Sequence, residues 1–307
     1  MSARLRGIAA ETEEIVAAGR YRTPDGREVF LGARIETARS GTRMFGPDPV
    51  PLRQPGVEGE DVAGADVSGS GHAGLAGPEL AVGTVLEVTG ESSLEAARRL
   101  AGAPVAVLNF ASARNPGGGY LNGAQAQEEA LCRASALHTC LLTARSFYDH
   151  HRAHRDPFYT DRVIHSPAVP VFRDDRGRLL AEPYPAGFLT AAAPNAGVVR
   201  RTRPERAAGL PDALAVRAER VLETAAAHGY RRVVLGAWGC GVFQNDPAQV
   251  ADAFRGLLGP GGRFARTFER VVFGVLDRTP GTVVREAFTR AFPQSRAVAS
   301  YAGQVQP

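Results

Sequence analysis

The chain has 307 residues, of which 44% are hydrophobic and 22% are charged, as in an ordinary globular protein. Its 36 basic residues are all arginines, and 32 acidic residues reduce the net charge to +4. The absence of lysine excludes a Walker A phosphate loop, a Schiff-base enzyme and a Ser-Lys hydrolase. No run of about 18 apolar residues is present, so we expect no membrane contact.

The cysteine content indicates a reducing compartment. Cys132, Cys140 and Cys240 are odd in number and lack the CxxC spacing of a four-cysteine zinc site. They predict a cytoplasmic protein without disulfide bonds. Residues 1–20 contain no continuous apolar segment, so we also expect no secretory signal.

Taken in chain order, the sequence predicts an N-terminal extension followed by an α/β core. Periodicity predicts a helix over residues 3–18 and a strand over 28–35. Residues 46–77, rich in Gly, Pro, Asp and Ser, predict a flexible loop or insertion between the extension, 1–40, and the core, 84–292. The predicted core strands are 84–88, 105–110, 163–172, 188–193, 232–235 and 271–276, and the predicted helices are 93–101, 125–148, 212–227, 247–258 and 283–292.

This alternation of strands and helices predicts a fold class. Buried strands that alternate with helices are typical of a three-layer α/β/α sandwich, in which ligands bind at the carboxyl ends of the strands. We therefore predict a single domain over residues 1–307, with its binding site at the loops that follow the strands.

The first such loop is rich in glycine. The segment NFASARNPGGGYLNGAQAQEE, from Asn109 to Glu129, runs from a buried strand through three glycines into a helix. Glycines there allow backbone N–H groups to approach a phosphate closely, and the helix N-terminus adds its positive dipole end. The alternative is a plain flexible turn. The loop is not a dinucleotide-binding fingerprint, because Asn122 occupies the position of the last glycine.

A second glycine loop follows a later strand. Its sequence is GAWGCGVFQND, beginning at Gly236, and it also fails the dinucleotide fingerprint at Gln244. In a parallel sheet both loops open at the same edge. A pyrophosphate lying between two loops rich in amide groups would suit that geometry.

Three polar residues, Gln127, Glu128 and Glu129, open the helix after the first loop. Glutamates in a first helical turn commonly complement the helix dipole, which is the structural interpretation. Two acids next to an anion site would repel a ligand that is only a phosphate, so a sugar in the ligand is the alternative. Adjacent helical residues point about 100° apart, so the two carboxylates must have different tasks.

The remaining candidate residues carry weaker signals. His150, His151, His154 and Asp156 could form a metal cluster, but a solvated helix end is favoured and no metal or cofactor is predicted. Cys240 lacks a recognisable base partner for a nucleophilic role.

Two further positions are more easily explained by structure than by function. Trp238 is expected to pack under the second loop rather than on a base. The run from Arg200 to Arg203 is expected to be a solvated loop, with contact to a nucleic acid or a polymer as the alternative.

The combination of these motifs resembles one family. NFASARNPGGG, NGAQAQEE and LGAWGCGVFQND are similar to the microbial-type poly(ADP-ribose) glycohydrolases, as are YTDRVIHSPAVPVFRDD and FLTAAAPNAG. The resemblance covers residues 84–292 and extends to the first 40. It implies a macrodomain-like fold with a mixed sheet and an added N-terminal helical segment. The longer segment 46–77 departs from the pattern.

The resemblance also implies roles for individual residues. Glu129 would be the catalytic residue, with Glu128 and Asn115 holding the ribose that is cleaved. Residues expected to bind the rest of the substrate are Gly117, Gly118, Gly119, Gln127, Gly239, Cys240, Gly241, Val242, Phe243 and, for the adenine, Phe273.

The implied activity is hydrolysis of the O-glycosidic bonds between ribose units of poly(ADP-ribose), with release of ADP-ribose. Such cleavage passes through an oxocarbenium-like transition state, for which Glu129 would act first as an acid and then as a base. Alternatives are a hydrolase that removes ADP-ribose from a DNA base or a protein side chain, and a non-catalytic ADP-ribose reader. We expect a monomer that reverses ADP-ribosylation in the DNA damage response; direct nucleic-acid binding has no support in the sequence.

Overall fold

The computed structural model describes residues 2–52 and 83–293. Within these ranges the chain forms one seven-stranded mixed sheet between two layers of helices. The predicted loop over 46–77 lies outside the described residues from residue 53 onward. No helix in the described ranges is long and apolar enough to span a membrane.

The helices and strands have the following bounds. The helices are α1 (Ala3–Ala18), α2 (Gly32–Gly41), α3 (Ser93–Leu100), α4 (Gln127–Ala134), α5 (Leu137–Leu141), α6 (Arg145–Ala153), α7 (Ala196–Thr202), α8 (Leu210–Ala227), α9 (Pro247–Leu258) and α10 (Val283–Ala291). The strands are β1 (Arg20–Arg22), β2 (Glu28–Phe30), β3 (Arg43–Phe45), β4 (Val85–Thr89), β5 (Val105–Phe110), β6 (Val163–Arg173), β7 (Leu179–Ala191), β8 (Arg232–Leu235) and β9 (Arg270–Gly274).

The strand order of the main sheet is β3-β6-β7-β5-β8-β9-β4. The strands from β7 through β5, β8 and β9 to β4 pair in parallel, whereas β3, β6 and β7 pair antiparallel. Strand β5 therefore lies at the centre, between β7 and β8. The carboxyl ends of β5 and β8 meet at one edge, as predicted for the two glycine loops.

One hydrophobic core lies on each face of the sheet. Helices α1 to α6 contribute to the first core and α8 to α10 to the second. Helix α1 begins as predicted, with the Ser2 hydroxyl accepting from the Leu5 amide, and α3 begins with a capping box between Ser92 and Glu95.

Three predicted elements differ from the structure. The single helix predicted over 125–148 is divided into α4, α5 and α6, with Ser135 in extended backbone between the first two and bridged to Val171 of β6. The strand predicted over 28–35 stops at Phe30, and helix α2 follows. The strand predicted over 188–193 begins at Leu179, because it pairs along β6 as a long hairpin. Pairing with β6 outweighed local periodicity in the first and third cases.

Candidate active site

Strand β5 and helix α4 place two glutamates at the centre of the sheet edge. The strand is buried along nearly its whole length, and α4 begins at Gln127 after the first glycine loop. Glu128 and Glu129 occupy the first turn of α4 and expose only 3% and 8% of their surface. Two buried carboxylates at one helix N-terminus are costly unless each has donors, so their partners define the site.

Glu128 is held by the backbone of the strand-end loop. Its Oε2 accepts a hydrogen bond from the Ser112 amide at 2.7 Å, and its Oε1 lies 3.3 Å from Asn109 Nδ2. The same Asn109 amide group donates to Thr190 Oγ1 on β7. Burial raises the pKa of Glu128 to about 8, and the donors of Ser112 and Asn109 oppose this rise. Both oxygens of Glu128 are therefore engaged by the protein.

Glu129 is held differently. Its Oε1 accepts a hydrogen bond from the Gly119 amide at 2.9 Å. Its Oε2 is buried and has no hydrogen-bond partner among the described residues. A buried carboxylate oxygen without a partner is a group for which a substrate hydroxyl or bridging oxygen can provide the partner.

Gly118 makes this arrangement possible. A Cβ at this residue would lie 2.5 Å from Glu129 Oε1 and 3.2 Å from Glu128 Oε2, and its φ of +58° disfavours any L side chain. The glycine thus allows both carboxylates to approach the loop backbone. The first loop supports the acids directly, and its predicted contact with phosphate stays a prediction, because the Gly118 and Gly119 amides already donate to Asn115 O and Glu129.

Helix α1 braces the same loop from behind. Glu13 Oε1 accepts a hydrogen bond from the Tyr120 hydroxyl at 3.0 Å and lies 3.1 Å from Nδ1 of His138 on α5. Tyr120 is buried and follows the third glycine directly, and a Cβ on Gly117 would lie 3.1 Å from His138 Cδ2. Sequence reasoning missed this brace, because 107 and 125 residues separate Glu13 from its two partners.

The second glycine loop offers free backbone donors. Trp238 anchors it: the buried indole donates from Nε1 to the Ala191 carbonyl at 3.0 Å, as expected for a residue that packs under the loop. Asn245 closes the loop through bonds to Pro194 O and Gly239 O. The amides of Gly241, Val242 and Phe243 have no acceptor in the described part of the chain. Such a run of amides is suited to bind an anion.

One cleft of about 1320 Å³ joins the two loops. Its lining includes most of the predicted site residues, namely Asn115, Gly118, Gly119, Gln127, Glu128, Glu129, Gly239, Cys240, Gly241, Val242 and Phe243. Gly117 lies behind this lining. Residues of the lining that sequence reasoning missed include Ser112, Val275, Leu276 and Val284, whose types carry no functional signal by themselves.

The prediction that Phe273 contacts the adenine is wrong, because the residue lies in the core. Its side chain is fully buried and packs against Phe254, Phe288 and Phe292 in the second core. Strand residues alternate between the two faces, and the position points inward. The following residues of the chain, Val275 and Leu276, reach the cleft instead.

The side chain of Gln127 is occupied by hydrogen bonds within the protein, whereas the side chain of Asn115 is free. The Gln127 side chain accepts from the Phe110 amide and donates to Leu108 O and Ser93 Oγ, so it holds the end of β5. Its predicted contact with substrate stays a prediction. Asn115 uses only its backbone within the loop, and its exposed side chain is available to a ligand.

The cysteine and histidine candidates do not form a second site. Burial raises the pKa of Cys240 to about 12, which disfavours the thiolate that a nucleophile requires. No group of metal-ligating side chains is present within residues 2–52 and 83–293. His150 and His154 stack on each other at the exposed end of α6, whereas His151, contrary to the predicted solvated end, is buried against Thr160.

Comparison with known proteins connects this site to a family. The sequence profile described as "Microbial-type PARG, catalytic domain" matches residues 9–174, more than half of the chain. The poly(ADP-ribose) glycohydrolase of Thermomonospora curvata is 45% identical, with a TM-score of 0.82 over 95% of this chain and 100% of that one. Its structure with the inhibitor ADP-HPD gives 46% identity and a TM-score of 0.80 over the same shares.

A second organism gives the same result. The poly(ADP-ribose) glycohydrolase of Deinococcus radiodurans in complex with ADP-ribose is 40% identical, with a TM-score of 0.71 over 87% of this chain and 99% of that one. Comparison with the curated proteins gave no match.

Proposed function

Because the chain belongs to the microbial-type poly(ADP-ribose) glycohydrolase family, we propose that it hydrolyses the O-glycosidic ribose–ribose bonds of poly(ADP-ribose) and releases ADP-ribose. Family membership confirms the resemblance that the glycine loops and the Gln-Glu-Glu motif indicated, together with the macrodomain-like fold. The enzyme is a glycosidase.

The observation that carries the assignment of Glu129 is its unpartnered Oε2. Of the four oxygens of the glutamate pair, this one is buried and has no donor among the described residues, whereas both oxygens of Glu128 have one. The Gly119 amide fixes the other oxygen of Glu129, and therefore the orientation of the carboxyl group. A general acid must be held within hydrogen-bond reach of the leaving oxygen.

The chemistry then follows in two steps. Protonated Glu129 gives its proton to the bridging oxygen while the bond from that oxygen to the anomeric carbon breaks, and the leaving ribose departs as an alcohol. The positive charge at the anomeric carbon is oxocarbenium-like. A water attacks this carbon and loses a proton to the Glu129 carboxylate, which restores the acid and completes ADP-ribose.

The other residues bind and orient the substrate in this proposal. Glu128 and the exposed side chain of Asn115 hold hydroxyls of the reacting ribose. The free amides of Gly241, Val242 and Phe243 bind the diphosphate, and the Phe243 ring packs beside the ribose. The apolar residues Val275, Leu276 and Val284 form the surface for the adenine.

The cellular setting is also part of this proposal. The three cysteines are free thiols, which suits a cytoplasmic enzyme. We place its activity in the reversal of ADP-ribosylation after DNA damage, and we expect the monomer to be sufficient, since both loops of the cleft come from one chain.

The test compares wild type, Glu129→Gln and the control Glu182→Gln, an exposed residue of β7 outside the cleft. Each protein is incubated with labelled poly(ADP-ribose), and released ADP-ribose is quantified. We expect Glu129→Gln to lower kcat by about 10²–10⁴-fold, because that is the usual contribution of general acid–base catalysis. Glutamine retains an acceptor for the Gly119 amide, so ADP-ribose binding measured by calorimetry should persist.

Two results would contradict the proposal in different ways. Release of ADP-ribose by Glu129→Gln at the rate of wild type would remove Glu129 from the chemistry. Binding of ADP-ribose without any release by wild type would favour a reader, or a hydrolase whose substrate is ADP-ribosylated DNA or protein.

A further inference from the structure

One buried arginine that lines the cleft has no carboxylate within ion-pair distance in the described ranges. The arginines of the lining are Arg4, Arg133, Arg173, Arg176 and Arg278. Three of these are exposed, whereas Arg133 and Arg173 expose only 7% and 3% of their surface. Arg173 has an acid, because its Nη2 lies 2.9 Å from Glu11 Oε2. Among the described residues, Arg133 is therefore the buried cation of the cleft whose charge no ion pair neutralises.

This arginine lies one helical turn after Glu129 on α4. Residues four apart on a helix are neighbours on one face, with their Cβ atoms about 5–6 Å apart. Both side chains are buried and both line the cleft. Burial lowers the pKa of Arg133, and the charge of Glu129 opposes that decrease. Glu129 therefore interacts with this guanidinium through its charge, from beyond ion-pair distance.

The first glycine loop fixes the guanidinium relative to Glu129. Nη1 of Arg133 donates to Ala124 O at 2.7 Å, which is the hydrogen bond of its side chain among the described residues. The Ala124 amide in turn donates to Gly119 O at 3.1 Å. The Gly119 amide donates to Oε1 of Glu129. A short series of hydrogen bonds thus connects the arginine to the glutamate, and the other donors of the guanidinium have no partner in the described part of the chain.

Stability alone explains an arginine at this position poorly. A buried charge without an ion pair costs free energy of folding, and an apolar side chain of similar length would avoid that cost. The adjacent glutamates, in contrast, create a need for positive charge. Burial raises the pKa of Glu128, and the negative charge of Glu129 adds to that rise. Ionisation of Glu129 beside Glu128 is therefore unfavourable unless a nearby cation compensates it.

We propose that Arg133 is a positioning residue that acts through Glu129, by stabilising the carboxylate formed when Glu129 gives its proton to the leaving oxygen. This inference rests on the proposed function. In that step the proton moves from Glu129 to the bridging oxygen, which keeps the electron pair of its broken bond to the anomeric carbon. Glu129 becomes negative at that moment, and a charge that is already in place needs no rearrangement to stabilise it.

The structural alternative is that Arg133 only holds Ala124 and, through it, the glycine loop. Loss of that support would displace Glu129 for every substrate. Loss of the charge, in contrast, would slow only those substrates whose leaving oxygen must receive a proton. A leaving group as acidic as para-nitrophenol departs as an anion without general acid catalysis. The two roles of Arg133 therefore predict different results for two substrates.

The experiment compares wild type with Arg133→Gln, Arg133→Lys and the control Arg34→Gln. Glutamine removes the charge but keeps a donor for Ala124 O, and lysine keeps both the charge and a donor. The control removes an exposed charge of α2 outside the cleft. Single-turnover rates and KM are measured for poly(ADP-ribose) and for a para-nitrophenyl glycoside of ADP-ribose with the same anomeric configuration. Calorimetry with free ADP-ribose and a thermal melt check binding and folding.

We expect Arg133→Gln to lower the single-turnover rate on the polymer by about 10-fold or more, since an opposite charge at about this distance changes a proton equilibrium by that factor. Its KM, its ADP-ribose affinity and its rate on the para-nitrophenyl glycoside should remain near wild type. Arg133→Lys should recover part of the lost rate, and Arg34→Gln should behave as wild type.

Three results would overturn the role of Arg133. They are an unchanged polymer rate in Arg133→Gln, equal losses on the two substrates, and a lysine variant as slow as the glutamine variant. Each would restrict the residue to holding the loop or to no role. Failure of wild type to release ADP-ribose from the polymer would instead overturn the proposed function, so the two failures are distinguishable.

Discussion

Glu128 and Glu129 are neighbours in the sequence, yet their carboxylates accept hydrogen bonds from two different parts of one loop. Glu128 is bound by the Ser112 amide just after the strand, and Glu129 by the Gly119 amide at the end of the triple glycine. The angle of about 100° between adjacent helical residues separates them. Each oxygen of Glu128 thereby accepts one hydrogen bond from the protein, whereas Glu129 keeps one oxygen without a protein donor.

Gly118→Ala is expected to displace both carboxylates. The added methyl would lie 2.5 Å from Glu129 Oε1, and the φ of +58° would be strained. We expect kcat/KM for poly(ADP-ribose) to fall by about 100-fold or more, since small displacements of catalytic groups have effects of that size. Gly102→Ala is the matched control, because its Cβ meets no atom within 4 Å. Equal activity of the two variants would show that the loop tolerates a side chain.

The pH dependence of stability should report the burial of Glu128. Its pKa is raised from 4.5 to about 8 in the folded protein, so between these values the folded state keeps a proton that the unfolded state has released. Its contribution to the free energy of unfolding is therefore fully present below 4.5 and is lost as the pH rises toward 8. Glu128→Gln removes this dependence.

We accordingly expect Glu128→Gln to become more stable relative to wild type as the pH rises, by a few kcal/mol at most, since one pKa unit corresponds to about 1.4 kcal/mol. Urea unfolding of both proteins at several pH values gives this difference. A difference that does not change between about pH 5 and pH 8 would contradict the raised pKa.

The brace formed by helix α1 should matter for catalysis although it lies outside the cleft. Glu13→Ala removes the acceptor of Tyr120 and the partner of His138. Loss of such bonds costs about 1–3 kcal/mol, so we expect kcat/KM to fall about 5- to 150-fold through displacement of the glycine loop. Steady-state kinetics and a thermal melt check this expectation.

Two further variants sharpen that test. Glu13→Gln keeps a carbonyl oxygen and should recover part of the lost kcat. Glu14→Ala, at the exposed neighbouring position, should behave as wild type. A Glu13→Ala enzyme with lowered melting temperature but unchanged kcat would restrict the brace to a stabilising role.

Asn115 and Gln127 should separate binding from stability. Asn115→Ala removes an exposed side chain, so we expect unfolding free energy within about 0.5 kcal/mol of wild type and ADP-ribose affinity lowered by about 10-fold. Gln127→Leu leaves the Phe110 amide and the Leu108 carbonyl without partners, which should cost about 1–3 kcal/mol of stability. Calorimetry measures the ADP-ribose affinity of each variant, and urea unfolding measures its stability. Lost stability in Asn115→Ala together with lost affinity in Gln127→Leu would contradict both assignments.

Local sequence patterns predicted the glycine loops, the glutamate pair and much of the fold. Strands β5 and β8 and helix α9 have the bounds predicted from buried apolar runs and Pro247. The triple glycine and the glutamate pair could be identified because they lie in one short segment. Its strand, loop and helix start fall within about 20 residues, so their steric and electrostatic effects can be inferred from that segment alone.

The folded structure set the features that depend on residues far apart in the sequence. It divided the helix predicted over 125–148 at Ser135, placed Phe273 in the core, and set Glu13 against Tyr120 and His138. Hydrogen bonds and packing across more than 100 residues leave no periodic trace in the sequence. The free oxygen of Glu129 could not be predicted from the sequence either, because it depends on which amide groups the folded loop brings to each carboxylate.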